Sequence, residues 1–406
     1  MTYKVVLVTP GQPALNPRLV KEADALTDAG YQVTVFFSYW NSWGSDFTKK
    51  LLHSKKWDAI CVGGDPVEKP LVYFISRVIY SITRFIVKKV GPINYFAELA
   101  ATRSAFFLIH EVKKHNADLY IGHNLGALPA IVKAAKKHNA KCGFDAEDFH
   151  RNEISDDINS FNFKTAKYLE DKYLTGVDYI SASSPQIAGA YQQLYPGKKP
   201  ITLLNVFPKN TSLKQRSINS ADAVKLFWFS QTIGANRGID DVINALQLLD
   251  KNQFELHLLG APQEGFIDKI NSSGISVKFH NPIHPDELTD FAFQFDIGLA
   301  LEPGFCTNNN LALSNKLFTY MQAGLAIIAS DTTAQQDFMS KNSQIGSLYP
   351  KGDPKALATI LLGYYQNRDE LTNCKTQSLR LAHQQYNWET ESKKFLSVVK
   401  ETLLKN

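Results

Sequence analysis

The sequence has few of the residues that build covalent or metal cross-links. Its 406 residues include only four cysteines, which are widely scattered and form no Cys-x-x-Cys pair. We therefore expect neither a disulfide framework nor a metal centre, and a reducing cytosol is the default compartment. The first residues enter a strand almost at once, without the charged and apolar regions of a secretory signal, which predicts a protein that is not secreted.

Several catalytic motifs are also missing. The chain has no GxxxxGK[ST] phosphate loop and no GxGxxG after a strand, and this argues against kinases and dehydrogenases. It has neither an HExxH metal motif nor a GxSxG nucleophile elbow. The formal net charge of +5 is only mildly basic. We therefore expect no nucleic-acid partner, whereas anionic small ligands or an anionic membrane surface would suit the charge.

What the sequence does contain is a regular alternation of short apolar runs and amphipathic segments. Residues 4–8, 18–30 and 32–37 read as strand, helix and strand, which predicts a parallel sheet with right-handed crossovers. The length suits two α/β domains of about 200 residues each. The predicted division is residues 1–207 for the first domain, 208–221 for a polar linker and 222–387 for the second domain.

The segment from Phe295 to Asp331 is the most informative part of the second domain. It reads as a buried strand at 296–301, a polar loop at 302–314, a short helix at 315–323 and another buried strand at 325–329. Ser314 is a good N-cap residue, and Lys316 follows in the first helical turn. A loop at the carboxyl end of a parallel strand that leads into a helix N-terminus is a typical phosphate site.

Ionisable residues follow two strands of the first domain. His123 follows the strand at 118–122, and the strand at 141–144 runs into Asp145, Glu147, Asp148 and His150. Both places lie at carboxyl ends of predicted strands, so the cluster indicates binding or catalysis. An ion-paired loop that involves Arg151 and Lys164 is the structural alternative. For His123, ligand contact and a hydrogen bond at the helix entry remain equally open.

Residues 70–95 combine aromatic and aliphatic side chains with a few cations. On a helix, Arg77, Ser81, Arg84 and Lys88 form one polar stripe in an otherwise apolar surface. Two arginines inside the run make a transmembrane span costly, so a helix that lies in the interface of an anionic membrane fits better. A helix buried between domains or in a dimer is the alternative.

The string SNKLFTYMQAGLAIIAS at 314–330 resembles the donor-site motif of the retaining GT-B glycosyltransferases grouped as family 4. The resemblance implies an α/β GT-B fold, with two doubly wound Rossmann-like domains, a deep cleft between them and a C-terminal helix at 388–406 that packs back on the first domain. Thr319 and Leu311 stand where the family usually has a pair of glutamates that contact the donor. Glu302 is the nearby carboxylate.

The resemblance also implies roles for individual residues. The turn with Gly234 and Arg237 is similar to the family's second phosphate-contacting turn, and two cations, Arg237 and Lys316, would then converge on one diphosphate. His280 would lie near the nucleotide base and Gly11 on the acceptor side. The predicted donor-binding residues also include Glu302, Leu313, Ser314, Asn315 and Thr319. The predicted catalytic residues are His123, Asp145 and Asp148.

The implied activity is transfer of a sugar from a UDP- or GDP-sugar to a glycan or lipid-linked acceptor, in cell-surface polysaccharide synthesis and with retention of configuration. The chain has no Asp-x-Asp at a strand end, so the nucleotide sugar is expected to act as a co-substrate without a metal cofactor. We expect a cytoplasmic protein that associates with the inner face of the membrane. A non-catalytic partner subunit that binds glycan and a sugar-nucleotide epimerase of the same fold stay open as alternatives.

Overall fold

The computed structural model describes residues 2–210 and 222–405, and the part of the predicted linker at 211–221 lies outside them. The chain divides into two units. The first comprises Met1–Leu203, Cys306–Asn308 and Ser392–Asn406, and the second comprises Leu204–Phe305 and Asn309–Glu391. The first unit's main stretch ends at Leu203, and the predicted end of the first domain is residue 207.

The strands of the first unit arise from runs of β-branched and aromatic residues, which suit parallel strands that are buried on both faces. They are β1 Lys4–Val8, β2 Gln32–Ser38, β3 Asp58–Val62, β4 Leu119–His123, β5 Lys141–Ala146, β6 Tyr179–Ala182 and β7 Ile201–Thr202. The helices are α1 Pro17–Asp28, α2 Ser42–Leu52, α3 Pro70–Val90, α4 Asn94–Leu99, α5 Ala105–Val112, α6 Leu128–His138, α7 Phe161–Tyr173 and α8 Pro185–Leu194.

Within the described residues these strands form a seven-stranded parallel sheet in the order β3-β2-β1-β4-β5-β6-β7. The order reverses between β1 and β4, so the loops that follow these two strands border the point of reversal. In open α/β sheets, such a reversal at the carboxyl ends of the strands is where ligands bind. Gly11 and Asn124 lie in these two loops and therefore border a candidate site.

Helices of the second unit alternate with its strands in the same way. The strands are β8 Val224–Ile233, β9 Phe254–Pro262, β10 Val277–His280, β11 Ile297–Ala300, β12 Ala326–Ser330 and β13 Gly346–Tyr349. The helices are α9 Ile239–Leu246, α10 Phe266–Ser272, α11 Leu288–Ala292, α12 Thr307–Leu311, α13 Asn315–Gln322, α14 Thr333–Lys341, α15 Pro354–Gln366 and α16 Arg368–Gln384. The first two residues of α12, Thr307 and Asn308, belong to the first unit. A last helix, α17 Trp388–Leu404, begins in the second unit and continues into the first.

In the described part of the second unit, the six strands are parallel and follow the order β10-β9-β8-β11-β12-β13. The reversal lies between β8 and β11, so the loops after these two strands meet at the edge where a ligand is expected. The predicted strands and helix of residues 296–329 are present as β11, α13 and β12. The predicted loop between β11 and α13 contains one further short helix, α12, which its polar sequence did not indicate.

Each unit has its own apolar core. In the first unit, strand residues such as Leu7 and Ile121 pack with α1 and with Phe395 and Val399 of α17. In the second unit, one apolar cluster contains Trp228 and Leu256, and a second cluster contains Phe227 together with Phe318 of α13. Helices therefore pack on sheets whose central strands are buried, whereas the edge strands β3, β7, β10 and β13 are more exposed.

The apolar segment at 70–95 forms α3, which ends earlier than residue 95. Gly91 follows the last turn with a φ of 86°, a conformation that favours glycine, and Pro92 comes next. Among the described residues, α3 is also the helix whose length and composition would allow it to cross a membrane. Only 17% of its most apolar 18-residue stretch is buried.

Candidate functional site

A glycine holds the turn after β8 against the end of β11. Gly238 has a φ of 74°, and a Cβ atom on it would lie 2.3 Å from the carbonyl oxygen of Leu301. Only glycine allows this approach without a shift of the backbone. Arg237, directly before it, is exposed, and its Nη1 donates to Ser230 Oγ at 3.3 Å. The other guanidinium N–H groups of Arg237 are thus presented at the carboxyl edge of the sheet.

The carboxylate of Glu302 organises the loop after β11. Its Oε1 accepts hydrogen bonds from Ser314 Oγ and from Lys316 Nζ, both at 2.8 Å, and its Oε2 accepts from Asn309 Nδ2 at 3.3 Å. Ser314 stands at the N-cap position of α13, as predicted, but its hydroxyl binds Glu302 and makes no cap hydrogen bond. The first amides of α13 are therefore not capped by this side chain.

Electrostatics favour the charged form of this cluster. Burial would raise the pKa of Glu302, but the Lys316 ammonium and the hydrogen bonds from Lys316, Ser314 and Asn309 lower it to about 2. Lys316 Nζ also lies 5.7 Å from the centroid of the Trp228 ring. The cation predicted to face a diphosphate is therefore already held in place between a carboxylate and an aromatic face.

The remaining predicted residues of this site differ in exposure. Asn315 is exposed in the first turn of α13, whereas Gly234 and Leu313 are buried. Thr319 is buried as well, and its hydroxyl donates to the Asn315 carbonyl oxygen at 3.3 Å. Threonine has no carboxylate, and the hydroxyl of Thr319 is engaged with its own helix.

His280 lies at the end of β10 inside an aromatic cluster. Its Nε2 is 2.9 Å from Nδ1 of His257, and the two rings stack with centroids 5.2 Å apart. Phe291 packs edge-on against it at 5.0 Å. Burial lowers the pKa of His280, so the ring is neutral at neutral pH. Contact with a nucleotide base stays a prediction for this residue.

In the first unit, a cavity of about 490 Å³ opens where the order of the strands reverses. The loop after β1 with Gly11 and the loop after β4 with Asn124 line it, together with Glu147, His150 and Trp40. A Cβ atom on Gly11 would meet nothing within 4 Å, so the space above this loop is open. The volume suits a ligand the size of one or two sugar rings.

Asp145 does not reach this cavity, because it is fully buried in an ion pair. Arg18 of α1 donates hydrogen bonds to both carboxylate oxygens, from Nε to Oδ2 at 2.5 Å and from Nη2 to Oδ1 at 2.7 Å. Ser181 Oγ donates to Oδ1 at 2.6 Å. The charge and hydrogen bonds of Arg18 outweigh burial and hold the pKa of Asp145 well below its usual range. These contacts occupy both oxygens of Asp145, and its predicted catalytic role stays a prediction.

His123 joins this pair to further carboxylates. Its Nδ1 lies 3.4 Å from both Asp145 Oδ2 and Glu147 Oε1, and its Nε2 lies 3.2 Å from Glu22 Oε2. Burial opposes protonation of the ring, but Glu22 and the bonds to its neighbours raise the pKa of His123 well above its usual value. Of these carboxylates, Glu147 is the one that lines the cavity, with 21% of its side chain exposed.

Asp148 lies at the next step of the same loop. Its Oδ1 accepts a hydrogen bond from Asn308 Nδ2 at 2.8 Å, within the first unit. Burial and the charge of Glu153 raise the pKa of Asp148 to about 6. A carboxyl group that titrates this close to neutrality can take up or release a proton during a reaction. Its predicted catalytic role stays a prediction.

Comparisons with known proteins define the class. Residues 224–367 match the family model described as glycosyl transferases group 1. The second unit carries a group 1 glycosyltransferase domain. Arg237, Glu302 and Lys316 all lie inside the matched residues. Within residues 224–367 the chain is therefore similar to group 1 glycosyltransferases, and its two parallel α/β sheets are those of the predicted GT-B fold. A search of curated proteins finds no match.

Solved structures of glycosyltransferases share this fold over almost the whole chain. HepE of Anabaena in complex with UDP superposes with a TM-score of 0.66 at 14% identity, and the match covers 99% of this chain and 100% of that one. Sucrose-phosphate synthase of Thermosynechococcus elongatus gives 0.69 at 13% identity, with 98% of each chain covered. WaaG, a glycosyltransferase involved in lipopolysaccharide biosynthesis, gives 0.63 at 13% identity, with 97% and 99% covered.

Sequence reasoning missed several residues of the candidate site in the first unit. Arg18 and Glu22, which supply the partners of Asp145 and His123, lie one turn apart on α1. Their spacing of four residues, directly after the Gly11 loop, was the available signal. The predicted alternative partner Arg151 pairs elsewhere, with Glu170 at 2.6 Å and Asp171 at 3.0 Å.

His150, beside the cavity, also has a partner that the sequence did not indicate. Its Nδ1 lies 2.9 Å from Glu153 Oε2. Burial opposes protonation, but the hydrogen bond and charge of Glu153, with the charges of Asp148 and Glu170, raise the pKa of His150 to about 9. His150 is therefore protonated at neutral pH and carries a positive charge into the wall of the cavity.

This raised pKa predicts a pH-dependent stability difference between the wild type and His150→Gln. A raised pKa stabilises the folded state below the unfolded value near 6.5, and the contribution disappears as the pH rises through about 9. We expect a difference of about 2–3 kcal/mol at pH 6 that vanishes by about pH 10. Hydrogen exchange of α7 peptides between these pH values measures it. A difference that does not change with pH would contradict the assigned charge.

Proposed function

We propose that this protein transfers a sugar from a UDP-sugar to a hydroxyl group of a glycan or lipid-linked acceptor, in the synthesis of a cell-surface polysaccharide. The observation that carries the proposal is the Glu302 cluster, which fixes Lys316 at the strand-order reversal of a group 1 glycosyltransferase domain, on the edge where Arg237 is exposed. Two structures of one relative support the choice of donor, since HepE was solved with UDP and with UDP-glucose.

Cations of the chain would stabilise the departing diphosphate. Arg237 can bind two phosphate oxygens at once, and Lys316 adds a second charge together with the first amides of α13. Charge that develops on the leaving group would then meet donors that are already oriented, which is the main way such sites accelerate transfer. Asn315, exposed in the same turn, is placed to contact the donor as well.

The reaction is proposed to need no metal. Glu22, His123 and Asp145 bring three ligand atoms within 4.8 Å of one another, a spacing that could hold an ion. Both oxygens of Asp145, however, already accept hydrogen bonds from Arg18. A cation beside the Arg18 guanidinium would be repelled. The donor set therefore does not fit a metal, and neutralisation of the diphosphate is left to Arg237 and Lys316.

The acceptor would bind in the cavity of the first unit, over the open loop at Gly11. Glu147, which lines the cavity, and Asp148, whose pKa is raised to about 6, would orient the acceptor hydroxyl. Retention of the anomeric configuration is part of the proposal and rests on the donor motif. The cytoplasm, at the inner face of a membrane, is the proposed location.

Calorimetric titration with UDP tests the donor site, and a parallel titration with GDP tests the choice of base. Arg237→Ala is the sharpest variant, because this side chain is exposed and its removal should not disturb the fold. We expect the affinity for UDP to fall about 10- to 100-fold, as for loss of a charged hydrogen-bond donor. Arg380→Ala is the matched control, because Arg380 is another exposed arginine of the same unit and its guanidinium donates to the side chains of Gln377 and Gln384.

Two results would contradict the proposal. The first is a folded wild type that binds neither UDP nor GDP. In that case Thr319, whose hydroxyl is turned toward its own helix, would mark a chain that has lost its donor contacts, and a non-catalytic partner subunit would explain the fold better. The second is an equal loss of affinity in Arg237→Ala and Arg380→Ala, which would place UDP binding outside this site.

A further inference from the structure

Helix α3 turns an apolar face toward solvent. Its buried side chains, Ser76, Thr83 and Val87, lie on one side of the helix. The opposite side carries large apolar residues, of which Leu71 is 71%, Phe74 64% and Phe85 63% exposed. Ile75, Val78 and Ile82 complete this face. At about 100° per residue, all of these positions fall on one stripe, and exposed apolar patches of this kind mark interaction sites.

The inner face of α3 is fixed to the first unit. Arg103 Nη1 donates to Ser76 Oγ at 2.7 Å, and the Arg103 guanidinium lies 4.6 Å from the centroid of the Tyr73 ring. Further along, the Arg84 guanidinium lies 4.9 Å from the centroid of Phe161 in α7. A transmembrane orientation would break these contacts and carry two arginines into hydrocarbon. The helix is therefore suited to lie flat in a membrane interface.

The charges beside the apolar face favour an anionic bilayer over a second copy of the chain. Residues 69–97 contain no aspartate or glutamate, and Arg77, Lys88 and Lys89 are exposed next to the apolar stripe. In a symmetric dimer through this face, each cation would meet the same set of cations on the partner, because a twofold interface is self-complementary. Anionic lipid head groups neutralise them, and the long side chains can reach those groups from the helix.

The same helix forms a wall of the cavity in the first unit. Tyr80 and Arg84 line it, as do Gly11 and Glu147. Arg84 Nη1 donates to the Tyr80 hydroxyl at 2.7 Å, while its Nε is buried and has no hydrogen-bond partner among the described residues. A ligand in this cavity would therefore touch the helix whose other face is apolar.

We propose that α3 rests in the interface of an anionic bilayer and that the cavity behind it takes an acceptor sugar that is anchored to a lipid. The docking of α3 is independent of the proposed function, whereas the role of the lipid-anchored sugar as acceptor rests on it. The arrangement places the cavity at the level of the lipid head groups, where a lipid-linked sugar is found and a soluble glycan is not concentrated.

Flotation of the full chain with vesicles tests the docking. We expect binding to vesicles of phosphatidylcholine with 30% phosphatidylglycerol, weaker binding as salt rises, and little binding to phosphatidylcholine alone. Loss of three cations should weaken binding by roughly a hundredfold. The variant is Arg77→Gln/Lys88→Gln/Lys89→Gln. Its matched control removes three exposed lysines from other surfaces and is Lys136→Gln/Lys278→Gln/Lys341→Gln.

The apolar face has its own matched pair of variants. Phe74→Ser/Phe85→Ser changes two exposed side chains of α3 and should abolish stable vesicle binding, whereas Leu248→Ser/Leu404→Ser changes two exposed side chains elsewhere and should not. Equal binding of these two variants would overturn the proposal. So would a wild-type dimer in gel filtration that Phe74→Ser/Phe85→Ser converts to a monomer, because a second copy would then be the occupant.

The position of the cavity is read from Trp40, which lines it and is 66% exposed. Quenching by a lipid with a spin-labelled head group, taken as the difference between the wild type and Trp40→Phe, should be strong on vesicles. Bound protein without this quenching would overturn the lipid-linked acceptor. Because UDP titration of the α3 variants should match the wild type, failure of the donor site and failure of the docking are distinguishable.

Discussion

Replacement of Arg18 by methionine is expected to lower the free energy of unfolding of the first unit by about 3–5 kcal/mol, as is typical when one partner of a buried ion pair is removed. Asp145 would keep its charge without the guanidinium that now contacts both of its oxygens. Glu22 and Glu147, near the same point, would add repulsion. Methionine fills much of the volume, so the loss would report on charge.

Hydrogen exchange of the full chain measures this effect, because peptides from β5 and from β12 report on the two units separately. Protection should fall in β5 and stay unchanged in β12. Arg77→Met on the exposed side of α3 is the control and should change neither. In Arg18→Met/Asp145→Asn the uncompensated charge is gone, so much of the protection in β5 should return. If Arg18→Met were as protected as the wild type, Asp145 would not depend on this pair.

Replacement of Lys316 by alanine is expected to have two separable consequences. The affinity for UDP should fall about 10- to 100-fold, because a charged donor to the diphosphate is lost. The second unit should also lose about 1–3 kcal/mol of stability, because Glu302 would keep its charge beside only the neutral donors Ser314 and Asn309. In the single variant, a loss of affinity could therefore come either from the missing donor to the diphosphate or from the lower stability of the second unit.

The variant Glu302→Gln/Lys316→Met resolves the ambiguity. It removes both charges, so exchange protection in β12 should recover while the affinity for UDP stays low. Calorimetry and hydrogen exchange on the same samples give the two quantities. If the double variant regained the affinity of the wild type, Lys316 would serve only as the partner of Glu302, and the diphosphate would depend on Arg237.

The sequence was most informative where one short segment contained both the element and its ligand contacts. The strand, helix and strand of residues 296–330 could be predicted because the apolar runs, Ser314 and the left-handed Gly324 all lie within it. The Arg237-Gly238 turn was found in the same way. Periodicity and turn chemistry are local properties, and they decide such segments regardless of the rest of the chain.

The first-unit site was harder, because its contacts join distant parts of the chain. Arg18 lies 127 positions before Asp145, and nothing in either neighbourhood shows that they meet. Asp145 lies within β5 and Glu147 directly after the strand, so the alternation of faces along β5 does not decide which of the two reaches the cavity. The sequence thus located the carboxylate cluster but did not show which member faces the cavity.

The pairing of Lys316 with Glu302 has a consequence for selectivity. A lone ammonium group in a cleft would attract any small anion, and inorganic phosphate is abundant in cells. Here the ammonium already has a carboxylate partner at 2.8 Å, so a small anion must compete with Glu302 for it. A nucleotide diphosphate brings a base, a ribose and a second phosphate, and these additional contacts can outweigh that competition. Glu302 would in this way reject free phosphate while the site still accepts the donor.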